Sequence, residues 1–194
     1  MSRRRQSNRN ETPKTSGFKP VVLKGRTPNQ IEYIKAIYTS EVTICNGPAG
    51  TGKTFCSIGT AINALKNGHI DKIFLTRPAV GLGRDIGYLP GTLMEKMNPY
   101  MKPFYDQLTQ FCELKKIEQM FEFEQIEVVP LTMMRGRTFN NCYILADELQ
   151  NAEQSEIRML MTRIGDNCKL VMTGDITQSD LPPYQRGAFR WCFN

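Results

Sequence analysis

The sequence predicts an α/β fold, a mostly parallel β-sheet with helices on both faces. Three observations carry this. Short apolar runs recur at residues 42–45, 73–76, 126–129, 143–146 and 170–172. Stretches with apolar residues at helical spacing separate them, the alternation that builds parallel crossovers. The runs are mostly apolar rather than alternating, as suits strands covered on both faces. A length of 194 residues, 40% hydrophobic and 23% charged, suits one domain with a sizeable core, or one domain plus a tail. It excludes a wholly disordered chain, a collagen-like chain and a coiled-coil rod.

Taken in order, Thr27 as N-cap with Pro28 in the first turn opens a helix on which Ile31, Ile34 and Tyr38 share a face. The run 42–45 leads through residues 47–52 into a helix ending near Asn67. On it Phe55, Ile58, Ile62 and Leu65 align, and Gly68 closes it. The run 73–76 enters a Gly- and Pro-rich loop at 77–91. Residues 92–121 read as helical pieces that Pro99 and Pro103 kink or divide. After the run 126–129 comes a polar loop with Met134, Arg135, Gly136 and Arg137. Past 143–146, Asn151 caps a helix bearing Ile157, Leu160, Met161 and Ile164, which stops at Gly165.

The net charge of +6 is uneven. Residues 1–26 hold eight basic side chains and the single acid Glu11, which leaves residues 27–194 at −1. Residues 1–26 are therefore a basic tail, expected to be disordered through about Lys19 because little apolar surface offsets the entropy of ordering. Such a tail suits either a sequence-blind arm for nucleic acid or a solvated terminus. The first ten residues lack the apolar centre of a secretory signal, and no run reaches the length of a membrane span, so a cytoplasmic protein without membrane contact is expected. The six cysteines have no zinc-ligand spacing, and His69 is the only histidine, so neither a metal cage nor a histidine-dependent triad is expected.

Chemistry concentrates at three strand ends. Gly47, Pro48, Ala49, Gly50, Thr51, Gly52, Lys53 and Thr54 match G-x-x-x-x-G-K-[ST] between a strand and a helix. Glycines there fold the backbone into a nest of N–H groups, and the helix adds its positive end, so the segment is a phosphate cradle. Lys53 would reach the β- and γ-phosphates of ATP, and the Thr54 hydroxyl would ligate Mg²⁺. The run 143–146 ends in Asp147 and Glu148, placing one acid to hold Mg²⁺ and the next to activate a water. Two acids beside a phosphate cradle favour water attack over transfer to a small acceptor. The third strand end leads to Gln178, an amide able to sense the γ-phosphate. Gln30, about twenty residues before the cradle, has the donor and acceptor to read an adenine edge, although a solvent-exposed helical glutamine without that role is the ordinary reading.

These residues resemble the PhoH-like family. The likeness covers about residues 27–187 and rests on GPAGTGKT (47–54), LTRPAV (75–80), GYLPG (87–91), PLTMMRGRTFNN (130–141), ILADELQNA (144–152) and KLVMTGDITQSDLP (169–182). The resemblance implies a single RecA-like P-loop domain over residues 27–194, like one domain of a superfamily 1 helicase. It further implies Mg²⁺-dependent ATP hydrolysis, a partner that is RNA or single-stranded nucleic acid, and a ring, commonly hexameric. Lys53 and Thr54 then match Walker A, Asp147 and Glu148 Walker B, Gln150 the end of a D-E-A-Q pattern, Gln178 a G-D-x-x-Q motif and Gln30 the adenine-reading Gln. Leu149 departs from the alanine of D-E-A-Q. The family pattern also places a further strand, helix and γ-phosphate arginine beyond Asn194, so either the protein is short at that end or the chain is truncated. Arg77, Arg135 and Arg137 are therefore candidates for a trans-acting finger, for nucleic-acid phosphates, or for neither. Against ATP hydrolysis stand two other readings, a nucleotide or small-molecule kinase and an ATP-gated binding module with negligible turnover. Tyr100, Phe104, Tyr105 and Phe111 around Lys102 offer either base-stacking surface or core.

Overall fold

The computed structural model describes residues 16–78, 93–182 and 186–193, with side chains left out for 93–101. In chain order it has α1 (Pro28–Thr39), β1 (Val42–Asn46), α2 (Lys53–Lys66), β2 (Lys72–Thr76), α3 (Leu93–Phe111), α4 (Leu114–Glu122), β3 (Ile126–Val128), β4 (Cys142–Ala146), α5 (Gln154–Met161), β5 (Cys168–Gly174) and α6 (Ala188–Trp191). Short 3-10 turns occupy Leu131–Met134 and Leu149–Asn151. All strand pairings are parallel, in the order β1-β5-β4-β2-β3.

The two-residue side-chain period of the strands divides the core between the faces. Ile73, Leu75, Tyr143, Leu145 and Val171 meet α1, α2, α3 and α4. Phe74, Ile144, Ala146, Leu170 and Met172 meet α5, α6 and both 3-10 turns. This double covering is why the strands read as mostly apolar. Because the strands are parallel and in register, with Asn46 opposite Gly174 and Thr76 opposite Ala146, their carboxyl ends share one edge. From β1 the chain passes over β5 and β4 to reach β2, then returns. The resulting crevice at the carboxyl edge is where open α/β sheets take ligands.

The element starts follow their signals. Thr27 caps α1 by accepting the Gln30 N–H at 3.3 Å, and Gly68 leaves α2 at φ +70°. The buried face of α1 is shifted from the expected one and keeps Ile34 against the core. Tyr33 and Ile37 face the core, while Ile31 and Tyr38 are exposed. Tyr33 wins that position by hydrogen bonding Ser57 of α2 at 2.6 Å.

Pro99 and Pro103 do not divide their helix; α3 runs through both. The missing donors are offset by burial of Phe104, Leu108 and Phe111 on its far half. Phe104 and Phe111 are thus core rather than stacking surface, Tyr105 stacks on Phe121, and the side chain of Tyr100 lies outside the described residues. Asn151 is not the cap of α5. That helix begins three residues later, behind a capping box formed by Glu153 and Glu156, while Asn151 exchanges two hydrogen bonds with Asp180.

Residues 16–26, part of the expected tail, pack onto the domain. Gly17 and Lys19 bond the backbone of Glu113 and Phe111, and Phe18 lies beneath the Lys66 and Lys116 ammonium groups. Leu23 packs against the same core, at Gly59. Phe18 and Leu23 are the apolar side chains that dock residues 16–26. Residues 1–15 and 79–92, with the GYLPG segment, lie outside the described residues.

The described cysteines are free thiols. Cys142 and Cys168 sit opposite each other on β4 and β5 with sulfurs 3.5 Å apart. Burial pushes the thiols of Cys45 and Cys112 up to about 11, as for small apolar residues. Among the described residues no helix is long and apolar enough to cross a membrane.

Candidate nucleotide site at the carboxyl edge

Four strand ends build the site. After β1, the Gly47 N–H donates to the Gly174 carbonyl of β5 at 3.1 Å, tying the cradle to the neighbouring strand end. Gly50 and Gly52 are left-handed, at φ +77° and +86°. At Gly52 a side chain would also meet the Gln30 amide, so the position needs glycine twice over. Lys53 curls back over the loop and donates to the carbonyls of Gly47 at 2.5 Å and Pro48 at 2.9 Å. The Thr51 hydroxyl adds a bond to Pro48 at 2.8 Å. The loop is held by its own side chains in a concave form.

Gln30 reaches this loop from α1. Its amide donates to the Thr51 carbonyl at 2.9 Å and accepts the Arg26 N–H at 2.7 Å. Its donor therefore braces the cradle, and its acceptor ties the start of α1 to the segment before it.

Asp147, 1% exposed, is the centre of the site. Its N–H bonds the Thr76 carbonyl at 2.9 Å, fixing it between the ends of β2 and β4. Oδ2 accepts from the Thr54 hydroxyl at 3.1 Å and from Arg77 at 2.6 Å, and Oδ1 accepts from Thr173 of β5. Thr54 and Asp147, 93 residues apart in sequence, are thus in direct contact. A hydroxyl and a carboxylate are hard oxygen donors, the set that Mg²⁺ with its water shell takes. The residues fit that ion. Asp175 on the next strand end supports the match, because its Oδ2 is buried without a partner. The Thr177 hydroxyl and N–H hold the Asp175 carboxyl below its usual range, with Lys53 adding to the effect.

Glu148 follows in the left-handed region at φ +59°, a strain of about 1–2 kcal/mol for a residue with a side chain. Its carboxylate accepts from the Gln150 amide at 2.6 Å, and the same amide's oxygen accepts the Asp175 N–H at 3.0 Å. Gln150 is buried and joins the two strand ends. It holds Glu148 in one orientation. Gln178 lies in the exposed turn after β5, its N–H bonded to the Asp175 carbonyl at 3.0 Å.

The three arginines separate. Arg77 is in the site. Arg137 is bidentate on Glu127, at 2.6 and 3.1 Å, and lies over the rings of Phe74 and Phe139. Its guanidinium is occupied in holding β3 to the following loop. Arg135 is exposed, on a cleft of about 420 Å³ that Arg158, Arg163, Thr132 and Ser155 also line.

The Glu127–Arg137 pair makes a pH prediction. Arg137, then Lys72, holds the Glu127 carboxyl below the usual range. A depressed carboxyl contributes stability that is present above its unfolded value, near pH ~4.3, and is lost as pH falls through the folded one. Glu127→Gln should therefore lower the melting temperature at pH 7, with the gap closing below about pH 4. A gap constant between pH 7 and pH 3 would contradict the ion pair as its source.

Sequence reasoning found the cradle, Asp147 and Glu148 because each lies within one local motif. It gave no role to Thr173 or Asp175, and it did not pair Arg77 with Asp147 or Gln150 with Glu148. The G-D at 174–175 was the available signal for β5.

Comparison with known proteins agrees with this architecture. Residues 22–193 match the family described as PhoH-like protein. A PhoH-like protein of Synechocystis sp. is 46% identical over 87% of this chain and 52% of its own length. One of Bacillus subtilis is 44% identical over 87% and 53%, and Protein PhoH of Escherichia coli 38% over 81% and 45%. The chain spans about half the length of these relatives. Among solved structures, the Sulfolobus solfataricus SWI2/SNF2 ATPase core in complex with dsDNA has the same fold, with a TM-score of 0.51 at 15% identity, over 84% of this chain and 34% of that one. The α/β sheet is accordingly RecA-like, and the chain, matched over nearly all its described residues, belongs to the PhoH-like protein family.

Proposed function

We propose that this domain binds ATP with Mg²⁺ and hydrolyses it, and that hydrolysis serves the remodelling of RNA or another single-stranded nucleic acid. The observation that carries the reading is the direct Thr54–Asp147 contact beside a preformed phosphate cradle and an oriented Glu148. Family membership and an ATPase-core fold support it.

In this reading the N–H groups of residues 47–54 and the start of α2 bind the phosphates, and Lys53 exchanges its carbonyl partners for the β- and γ-oxygens. Thr54 and Asp147 hold Mg²⁺, which when bound neutralises phosphate charge as it develops. Glu148, aimed by Gln150, takes a proton from the attacking water. Gln178 reports whether a γ-phosphate is present, and Gln30 exchanges its bonds to Thr51 and Arg26 for the adenine edge.

Nucleic acid is assigned to the arginine cleft and the basic tail. The Sulfolobus core, which shares the fold, was solved with dsDNA. With Arg137 occupied by Glu127, Arg135 is the arginine offered to a phosphate or, in a hexameric ring, to a neighbour's ATP. A cytoplasmic setting fits such partners.

Two assays test this. Incubation with Mg²⁺ and ATP should yield free phosphate. A phosphorylated acceptor instead would make the protein a kinase, and bound ATP without product would make it a gated binding module. Removing residues 1–15, which spares the docked Phe18, should weaken RNA binding measured at low salt and flatten its salt dependence, leaving phosphate release without RNA unchanged. Unchanged salt dependence would remove the tail from the nucleic-acid site.

A further inference from the structure

Arg77 holds the site's central carboxylate. Its Nη2 lies 2.6 Å from Asp147 Oδ2, with the two side chains 17% and 2% exposed. The same oxygen accepts the Thr54 hydroxyl, and the other oxygen is taken by Thr173. Beneath the guanidinium, 4.7 Å away, is the buried ring of Phe104 from α3. Arg77 Nε is buried with no partner, so the side chain gains little there beyond the ring and the carboxylate. Its backbone is fixed by the Leu131 N–H, which donates to the Arg77 carbonyl at 3.1 Å. The side chain can therefore move while its anchor stays.

We propose that Arg77 is a tethered counter-ion that competes with Mg²⁺ for Asp147, so that arrival of the metal with nucleotide displaces the guanidinium from Asp147 and loosens its hold on α3. This rests on the nucleotide reading above. A divalent cation and a guanidinium beside one carboxylate repel strongly in a site this dry, and they draw on the same oxygen lone pairs. While the metal is away, Arg77 keeps a buried carboxylate from standing unpaired next to incoming phosphates. When the metal binds, a cation and a ring face on α3 become available together. Arg77 is on this account a positioning residue with a regulatory consequence, acting in cis rather than as a finger lent to a neighbour.

The test is Mn²⁺ affinity, read by electron paramagnetic resonance on the full chain with a non-hydrolysable ATP analogue present. Arg77→Gln removes the competing charge and should tighten Mn²⁺ binding by about tenfold or more. It should also weaken binding of the analogue in EDTA, where Asp147 then faces the phosphates without a counter-ion. Phe104→Leu keeps the ion pair but removes the ring beneath it, and should tighten Mn²⁺ by about two- to threefold. It serves if Arg77→Gln fails to melt cooperatively. A merely structural Arg77 predicts the opposite direction, with Mn²⁺ and analogue weakened together. Analogue binding with Mn²⁺ affinity unchanged or weaker in the folded variants overturns the counter-ion proposal alone. Failure of the wild-type chain to bind the analogue overturns it along with the nucleotide reading.

Discussion

Glu148→Gln should lower the turnover number for ATP by about 10²–10⁴-fold, the range a general base contributes, while ATP still binds. The variant keeps size and an amide oxygen, so the Gln150 amide, which donates to Glu148 at 2.6 Å in the native site, still has an acceptor there. Asp147 and Thr54 are untouched, so the metal and phosphate contacts remain. What disappears is the group that accepts a proton from water. The check is a paired measurement of phosphate release and binding of a fluorescent ATP analogue. Loss of both together would place Glu148 in binding rather than in water activation, and loss of neither would remove it from the chemistry.

Lys53→Ala should act on the other axis and weaken MgATP binding by about 10²-fold or more. A hydrogen bond to a charged group is worth about 1.5–3 kcal/mol, and Lys53 would make such bonds to two phosphates. The structure adds a second loss. Lys53 is the side chain that bonds the Gly47 and Pro48 carbonyls, so its removal also loosens the cradle that the remaining N–H groups form. Affinity measured by titration calorimetry should fall, and saturating ATP should recover only part of the turnover. Native affinity in Lys53→Ala would mean that the cradle binds something other than a nucleotide's phosphates.

The two variants separate because the residues they touch come from different levels of the fold. The cradle and α2 were legible in the sequence because the glycines, Lys53 and the apolar stripe of Ile58, Ile62 and Leu65 all act within one strand–turn–helix unit. Asp147 was legible because a strand buried on both faces must deliver its first polar residues to the sheet edge. The pairing of Arg77 with Asp147 depends on β2 lying beside β4, and Thr173 reaches Asp147 because β5 lies on the other side of β4. No local pattern encodes that order. Gln150 illustrates the same limit at short range. Only two residues from Glu148, it reaches that carboxylate because Glu148 turns left-handed, and a positive φ at a glutamate is not legible in sequence. Elsewhere tertiary packing overrode local preference. Burial of Phe104, Leu108 and Phe111 carried α3 through two prolines, and Phe18 docked a segment whose composition is that of a free tail.

The separation of Arg135 from Arg137 shows why residue type alone was insufficient to assign a finger. Two positions apart, one guanidinium is clamped by Glu127 and two aromatic rings, and the other lines an open cleft.

The most direct test of the central claim follows the oxygen atom. With Mg²⁺ and ATP in ¹⁸O-labelled water, mass spectrometry of the product should find one solvent oxygen in each released phosphate, and Glu148→Gln should suppress that product. A γ-phosphoryl group recovered on another acceptor without solvent oxygen, or equal labelled phosphate from both proteins, would contradict water attack organised by Thr54, Asp147 and Glu148.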